Sequence, residues 1–208
     1  METFNKERQA AVSPDQAIVL LEEGNQRFQL AKKADRDLLD QVNKTCGGQF
    51  PFGVVISCID SRVPVEHVFD MGIGDLFSVR VAGNVINEDV LGSTEYGCKV
   101  AGSKLVLVMG HTKCGAVTSA CHGVELGNIT ALLSKIQPAV NGVEKPGGVV
   151  TADYIEDVNK LNIRNAIKEI RDRSEILKEM EMNGEIKMVG AVYDVCSGAV
   201  EFLDTPVA

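Results

Sequence analysis

Apolar positions along this chain follow two periods in alternation. Between Pro14 and Lys33, Ala17, Leu20, Leu21, Phe28 and Leu30 recur at roughly helical spacing, with Ser13 placed to cap and Pro14 at the first helical position. Gly47-Gly48-Gln49-Phe50-Pro51 then breaks the chain, and Gly53-Val54-Val55-Ile56-Ser57 is the continuous β-branched run of a strand covered on both faces. Pro64 admits a short helix through Phe69, and Leu76 to Val81 reads as a second strand. Asp89 to Ala101 sets Val90, Thr94, Gly97, Cys98 and Ala101 on one helical stripe, closed by Gly102. Leu105 to Met109 predicts a third buried strand, followed by the polar turn His111 to Gly115, a short helix from about Ala116 and a loop over Asn141 to Gly148. Thr151 to Met182 reads as one long amphipathic helix with Ile163, Ala166, Ile167, Ile170 and Leu177 on its apolar face and Asn183-Gly184 as its stop. Ile186 to Tyr193 and Ala199 to Leu203, turned at Cys196-Ser197-Gly198, predict a closing strand or hairpin.

Buried strands separated by helices predict an α/β fold: a mainly parallel central β-sheet flanked by helices, with an N-terminal helical arm and a C-terminal strand or hairpin. Such sheets hold their chemistry at the carboxyl ends of the strands. A chain of 208 residues suits one domain, residues 1–208, and its 45% hydrophobic content is enough for a packed core and excludes a disordered chain. With 29 acidic residues against 21 basic ones the net charge is −8, which repels nucleic-acid phosphate and anionic lipid, so neither nucleic acid nor membrane is an expected partner. No apolar run has signal-peptide or membrane-spanning length, and the expected location is cytoplasmic. In a reducing compartment the six cysteines are free thiols or metal ligands before they are disulfides.

Two strand ends carry soft or basic ligands. Ser57-Cys58-Ile59-Asp60-Ser61-Arg62 follows the first strand, and Gly110-His111-Thr112-Lys113-Cys114-Gly115 follows the third. Either alone is weak evidence, because a cysteine at a strand end is usually a small buried hydrophobe. Placed at one edge of one sheet, they supply two thiolates and an imidazole, a donor set that suits zinc, and three protein ligands leave a fourth tetrahedral position open. Cys98 and Cys121 read as packed thiols, whereas Cys46 and Cys196 lie in loops that pattern alone does not place. His67 reads as a partly exposed helix residue, His122 as a turn residue and Lys113 as a solvated turn residue. Gly72-Ile73-Gly74 is a poor dinucleotide loop, since it precedes a strand and Phe77 replaces the third glycine.

These segments resemble the β-class carbonic anhydrases, zinc enzymes that interconvert carbon dioxide and bicarbonate. The likeness runs from Leu21-Glu22-Glu23-Gly24-Asn25-Gln26-Arg27-Phe28 through Cys58-Ile59-Asp60-Ser61-Arg62-Val63-Pro64 and Arg80-Val81-Ala82-Gly83-Asn84 to Gly110-His111-Thr112-Lys113-Cys114-Gly115-Ala116. The resemblance implies one Zn²⁺ per subunit held by Cys58, His111 and Cys114, with Asp60 and Arg62 as a paired dyad beside it. It implies reversible hydration of CO₂ to bicarbonate and a proton by zinc-bound hydroxide. It also implies a substrate pocket that includes Phe77 and Tyr96, with Gln49 reaching in across a subunit boundary. Phe77 and Tyr96 read equally well as core residues of their strand and helix. The residues 1–45 form an arm expected to pack on a neighbouring subunit, through a group that includes Asn25, Arg27 and Phe28, in a homodimer or tetramer.

A carboxylate locked to a guanidinium stays ionised and oriented, so Asp60 can accept a hydrogen bond from the zinc-bound oxygen; released by Arg62, it could fill the fourth zinc position. In the three-histidine carbonic anhydrase site, zinc takes bound water from a pKa of 15.7 to about 7. Two thiolates cancel the formal charge of the ion, so the pKa is expected to be higher here. The predicted kcat/KM therefore rises toward alkaline pH, and a profile flat down to acidic pH would contradict this. A subgroup of the family uses a Trp in a regulatory bicarbonate site; Val55 stands there and the chain has no Trp, so that inhibition is not expected. Hydrolysis of carbonyl sulfide or carbon disulfide at the same metal, or zinc binding without turnover, are the alternatives.

Overall fold

The computed structural model describes residues 2–204. Five strands, β1 (Gly53–Ser57), β2 (Leu76–Arg80), β3 (Leu105–His111), β4 (Lys187–Tyr193) and β5 (Val200–Leu203), form one sheet in the order β2-β1-β3-β4-β5. The first four are parallel and β5 returns antiparallel to β4 as the closing hairpin. Every residue of β1 and β3 is buried, which is why Val54 to Ile56 and Leu105 to Met109 are unbroken apolar runs.

Alternation along the central strands divides the core between two faces. Val54, Ile56, Val106, Val108, Met188 and Val192 pack under α5 (Glu88–Glu95), α9 (Ala152–Arg173) and α10 (Glu175–Met182). Val55, Leu105, Leu107, Met109 and Ala191 pack under α2 (Pro14–Gln29) and α4 (Val65–Val68). The connection leaving β1 through α4 therefore covers one face, and the connection leaving β3 toward α9 covers the other. Adjacent strands whose connections diverge open a crevice at their carboxyl ends, the place where parallel sheets bind ligands.

Helix α2 has the expected start: Ser13 and Gln16 exchange hydrogen bonds as a capping box ahead of Pro14. Gly24 is required by close packing, because a Cβ there would lie 1.9 Å from the Phe69 carbonyl oxygen. Asn25 donates to the carbonyls of Val68 and Gly198, Phe28 lies against Gly198 and Arg27 pairs with Asp70, so all three engage their own chain. Helices α1 (Lys6–Ala11) and α3 (Leu38–Thr45) escape the hydrophobic pattern; α3 is started by the Asp37 side chain and leaves Leu38, Leu39 and Val42 exposed.

The segment expected as one helix over Thr151 to Met182 is two. Ser174 closes α9 with its N–H on the Ile170 carbonyl, leaves helical geometry at φ −116°, and starts α10 by accepting from the Leu177 N–H. Both helices lay their apolar faces on the same cluster, so the apolar period runs across the break. The expected loop at Asn141 to Gly148 begins inside α8 (Gln137–Gly142), and α7 (Gly127–Leu133) precedes it. The stripe after Asp89 ends in a π-helical turn, Tyr96–Val100, where Gly97 passes against Val54 and Phe77.

Asp70, in the turn after α4, fastens the N-terminal segment to that turn. Its carboxylate is buried and accepts from Arg27 Nε at 2.6 Å, Arg36 Nη1 at 2.6 Å and the Ala34 N–H at 3.0 Å. Burial pushes this carboxyl up, but the two guanidiniums and the N–H outweigh it and hold it below the usual range. The folded pKa lies below the unfolded value near 3.9, so this stabilisation is complete above about pH 4 and is lost as the pH falls through the folded value. Asp70 is at φ +46°, which Asn tolerates. Asp70→Asn is expected to cost about 3 kcal/mol at pH 7, the low end for breaking a buried ion pair, by removing the carboxylate that Arg27 and Arg36 share. Urea unfolding of both proteins at pH 7 and pH 3 checks this: the gap should narrow at pH 3, and an equal gap at both would refute it.

Candidate metal centre

The crevice between β1 and β3 is where the chemistry-bearing residues converge. Cys58 leaves the end of β1, His111 is the last residue of β3, and Cys114 caps the start of α6 (Gly115–Cys121). Lys113 adopts left-handed geometry, φ +55°, and turns the chain back so that Cys114 returns beside His111. That conformation is held from three sides. The Lys113 N–H donates to Glu156 Oε1 at 3.0 Å, its ammonium donates to Cys196 Sγ at 3.1 Å, and its carbonyl accepts from Arg62 Nη2 at 3.3 Å. Lys113 is the exposed turn residue expected, and it is also anchored by these three bonds.

The ligand atoms of Cys58, His111 and Cys114 lie within 4.8 Å of one another, and all three residues are buried. A tetrahedral ion with Zn–S bonds of about 2.3 Å needs its sulfurs about 3.8 Å apart, so the cluster is of the right size. His111 Nδ1 sits 2.9 Å from the Thr112 carbonyl, which makes Nδ1 the protonated nitrogen and leaves Nε2 its lone pair. Nε2 is buried without a hydrogen-bond partner, the state of a nitrogen reserved for a metal.

The two sulfurs shift in opposite directions. Cys58 is drawn well below the usual thiol range, chiefly by its hydrogen bond with Cys114 and further by His111 and the N–H groups of Gly83 and Asp60, against the cost of burial. Cys114 is pushed up by that same neighbour and by burial. Such a pair gives up one proton readily and the second when a cation enters between the sulfurs.

Asp60 stands at the rim. Its carboxylate takes a two-pronged bond from Arg62, Nε to Oδ1 at 2.9 Å and Nη2 to Oδ2 at 2.7 Å, and Oδ1 also accepts the Arg62 N–H at 2.9 Å. The Arg62 bonds hold this carboxyl far below its ordinary value despite some burial. Asp60 Oδ2 lies 3.8 Å from His111 Nε2, so it faces the ligand cluster while bound to Arg62.

A family model described as carbonic anhydrase matches residues 53–200, the span that contains every residue of this cluster. Carbonic anhydrase 2 of Mycobacterium tuberculosis is 30% identical over 198 residues, covering 92% of this chain and 94% of its own length. The chain belongs to the β-carbonic anhydrase family. The fold agrees: the β-carbonic anhydrase CafA of Aspergillus fumigatus superposes with a TM-score of 0.74 at 24% identity, over 92% of this chain and 91% of that one. One of two tetrameric β-carbonic anhydrases from Sordaria macrospora superposes with a TM-score of 0.70 at 23% identity, over 77% of this chain and 84% of that one.

Of the residues assigned by resemblance, one carbonic anhydrase chain gathers Cys58, Asp60, Arg62, His111 and Cys114 and leaves the others apart. Gln49 is exposed and precedes β1, so the full strand, about 17 Å for five residues, separates it from the carboxyl-end crevice. Phe77 and Tyr96 meet edge to face with centroids 6.2 Å apart and line a cavity of about 640 Å³ with Ser78, Val79, Glu88 and Asp89, none of them a member of the Cys-His-Cys group. His67 and His122 are exposed and outside that group. All six cysteines are free, and Cys98 is buried, with burial pushing its thiol up to about 12. From the sequence Arg80 stays open between the pocket and an ion pair, and neither Gly83 nor Glu156 is drawn to the site. Gly83 and Arg80 lie inside the Arg-Val-Ala-Gly-Asn segment, a signal already visible, whereas Glu156 arrives from a distant helix.

Proposed function

We propose that the protein catalyses reversible hydration of carbon dioxide to bicarbonate and a proton, with one zinc ion per chain held by Cys58, His111 and Cys114. The observation that carries this reading is the buried three-ligand cluster with Asp60 locked on Arg62 beside it and its Oδ2 3.8 Å from His111 Nε2. Zinc in a three-ligand site supplies a Lewis acid with an open position, at which the pKa of a water falls toward the working pH.

The chain's own residues do the rest. Asp60, ionised across the working pH range, accepts a hydrogen bond from the attacking oxygen and directs its lone pair at the carbon of CO₂. Arg62 fixes that carboxylate and keeps it from turning onto the metal. Asn159 Nδ2, donating to the His111 carbonyl at 3.1 Å, and Glu156, holding the Lys113 N–H, keep the second turn in place. Gln49, Phe77 and Tyr96 complete an apolar substrate pocket across a subunit boundary in a homodimer or tetramer, with residues 1–45 packing on the neighbour. In support, β2 is an edge strand, Tyr96 is 50% and Val100 70% exposed, and the Sordaria macrospora relative is tetrameric. The free state of the cysteines fits a reducing compartment, and we assign the enzyme to the cytoplasm.

Stopped-flow CO₂ hydration on protein of measured zinc content tests the reading, with carbonyl sulfide and carbon disulfide offered in parallel. Turnover of CO₂ in proportion to zinc supports it. Hydrolysis of the sulfur compounds without CO₂ hydration, or no turnover at full zinc loading, overturns it.

A further inference from the structure

We propose that Arg80 is a positioning residue for the Cys58–Arg62 turn, its guanidinium fixing two carbonyls and thereby where Cys58 and Asp60 carry their side chains; this rests on the reading of the site given above. Arg80 is the last residue of β2 and lies in register with Ser57, so its side chain starts beside the residue that precedes Cys58. From there Nε donates to the Cys58 carbonyl at 3.0 Å and Nη2 donates to the Asp60 carbonyl at 2.6 Å. Among the described residues no carboxylate lies within ion-pair distance of this guanidinium, so two main-chain carbonyls are the partners of a full cation. Bonds of that kind are stronger than neutral ones, and the planar fork sets the two carbonyls at a fixed separation.

The turn has need of an external tie. Residues 58–64 hold no helix or strand, and the hydrogen bonds within them all close on Asp60, from the N–H groups of Arg62 and Val63 and from the Arg62 guanidinium. Cys58 at one end is a ligand and Asp60 in the middle faces the ligand cluster, so a shift of a few tenths of an ångström in this backbone moves both. Arg80 couples them to the edge of the sheet.

The test compares wild type, Arg80→Gln and Arg80→Lys, each zinc-free and zinc-loaded. Amide hydrogen exchange is read at Arg62 and Val63. Arg80→Gln is expected to speed exchange at these two amides about tenfold in either metal state, with β1 and β3 amides unchanged. In the loaded enzyme kcat/KM should fall about ten- to thirtyfold at unchanged zinc content, the range of outer-shell losses. Arg80→Lys keeps the charge without the fork and should recover less than half of either effect. Unaltered exchange at the turn, a rise spread over the whole sheet, or full rescue by lysine would each overturn the proposal. If zinc-loaded wild type fails to hydrate CO₂, the proposed function falls while the exchange measurement still decides the role of Arg80.

Discussion

Cys58→Ser is expected to lower bound zinc from one per chain to below about a tenth after dialysis against a chelator, and to reduce CO₂ hydration by about a thousandfold or more, because the open Lewis-acid position goes with the ion. Serine keeps the size of the side chain and loses what matters: its hydroxyl does not ionise in the working range, while Cys58 is the sulfur that the surroundings hold lowest. The remaining pair, His111 and Cys114, offers one imidazole and one thiol that burial pushes up. Cys98→Ala is the matched control. That thiol is also buried, yet it packs in the hydrophobic cluster under α5 and takes no part in the Cys-His-Cys group. It should keep zinc and stay within about twofold of wild-type activity, at a cost in stability set by the small cavity. Metal analysis and stopped-flow rates on the same preparations decide the matter. Full zinc retention in Cys58→Ser would show that the ligand set has been misread.

Asp60→Asn is expected to leave zinc content near one per chain and to lower kcat/KM about a hundredfold, the lower end of what a positioned proton acceptor contributes. The amide is the same shape, so the substitution removes charge and half the accepting capacity while leaving the turn: the Arg62 N–H can still bond to the side-chain oxygen that it reaches at 2.9 Å. Arg62→Ala separates orientation from charge. It leaves the carboxylate in place but removes both prongs of the guanidinium, and the freed Asp60, already 3.8 Å from the ligand nitrogen, can turn inward to occupy the open position. A similar loss of rate is expected with zinc retained. Wild-type kcat/KM in both variants at equal metal loading would remove Asp60 from the mechanism.

The strands were legible because their burial is complete. Val54, Val55 and Ile56, and Leu105 to Met109, are apolar without interruption since helices cover both faces of the sheet, and their short length, β-branched residues and flanking breakers favour strand over helix. Ser13, Pro14 and the stripe through Leu21 marked α2 for equally local reasons. What escaped was set by contacts at long range. Ser174 is an ordinary residue in an unbroken apolar period, and its bond to Glu95, 79 positions away, accompanies the break between α9 and α10. Lys113 carries no sequence mark of left-handed geometry, because the conformation is imposed by Glu156, Arg62 and Cys196 from three other segments.

The division at the site follows the same line. Residue chemistry alone determined that two thiols, an imidazole, a carboxylate and a guanidinium were available at two strand ends, and that this donor set suits zinc with a position to spare. Only the tertiary structure decided that β1 and β3 are neighbours, that their connections part to opposite faces, and that ligands separated by more than fifty positions meet within 4.8 Å. It also decided that Asp60 rests on Arg62 and that Gln49 lies a whole strand away from the Cys-His-Cys group of its own chain. Identity is carried by the chain, but distance and direction come from packing, where each residue's geometry depends on elements that the local sequence does not contain.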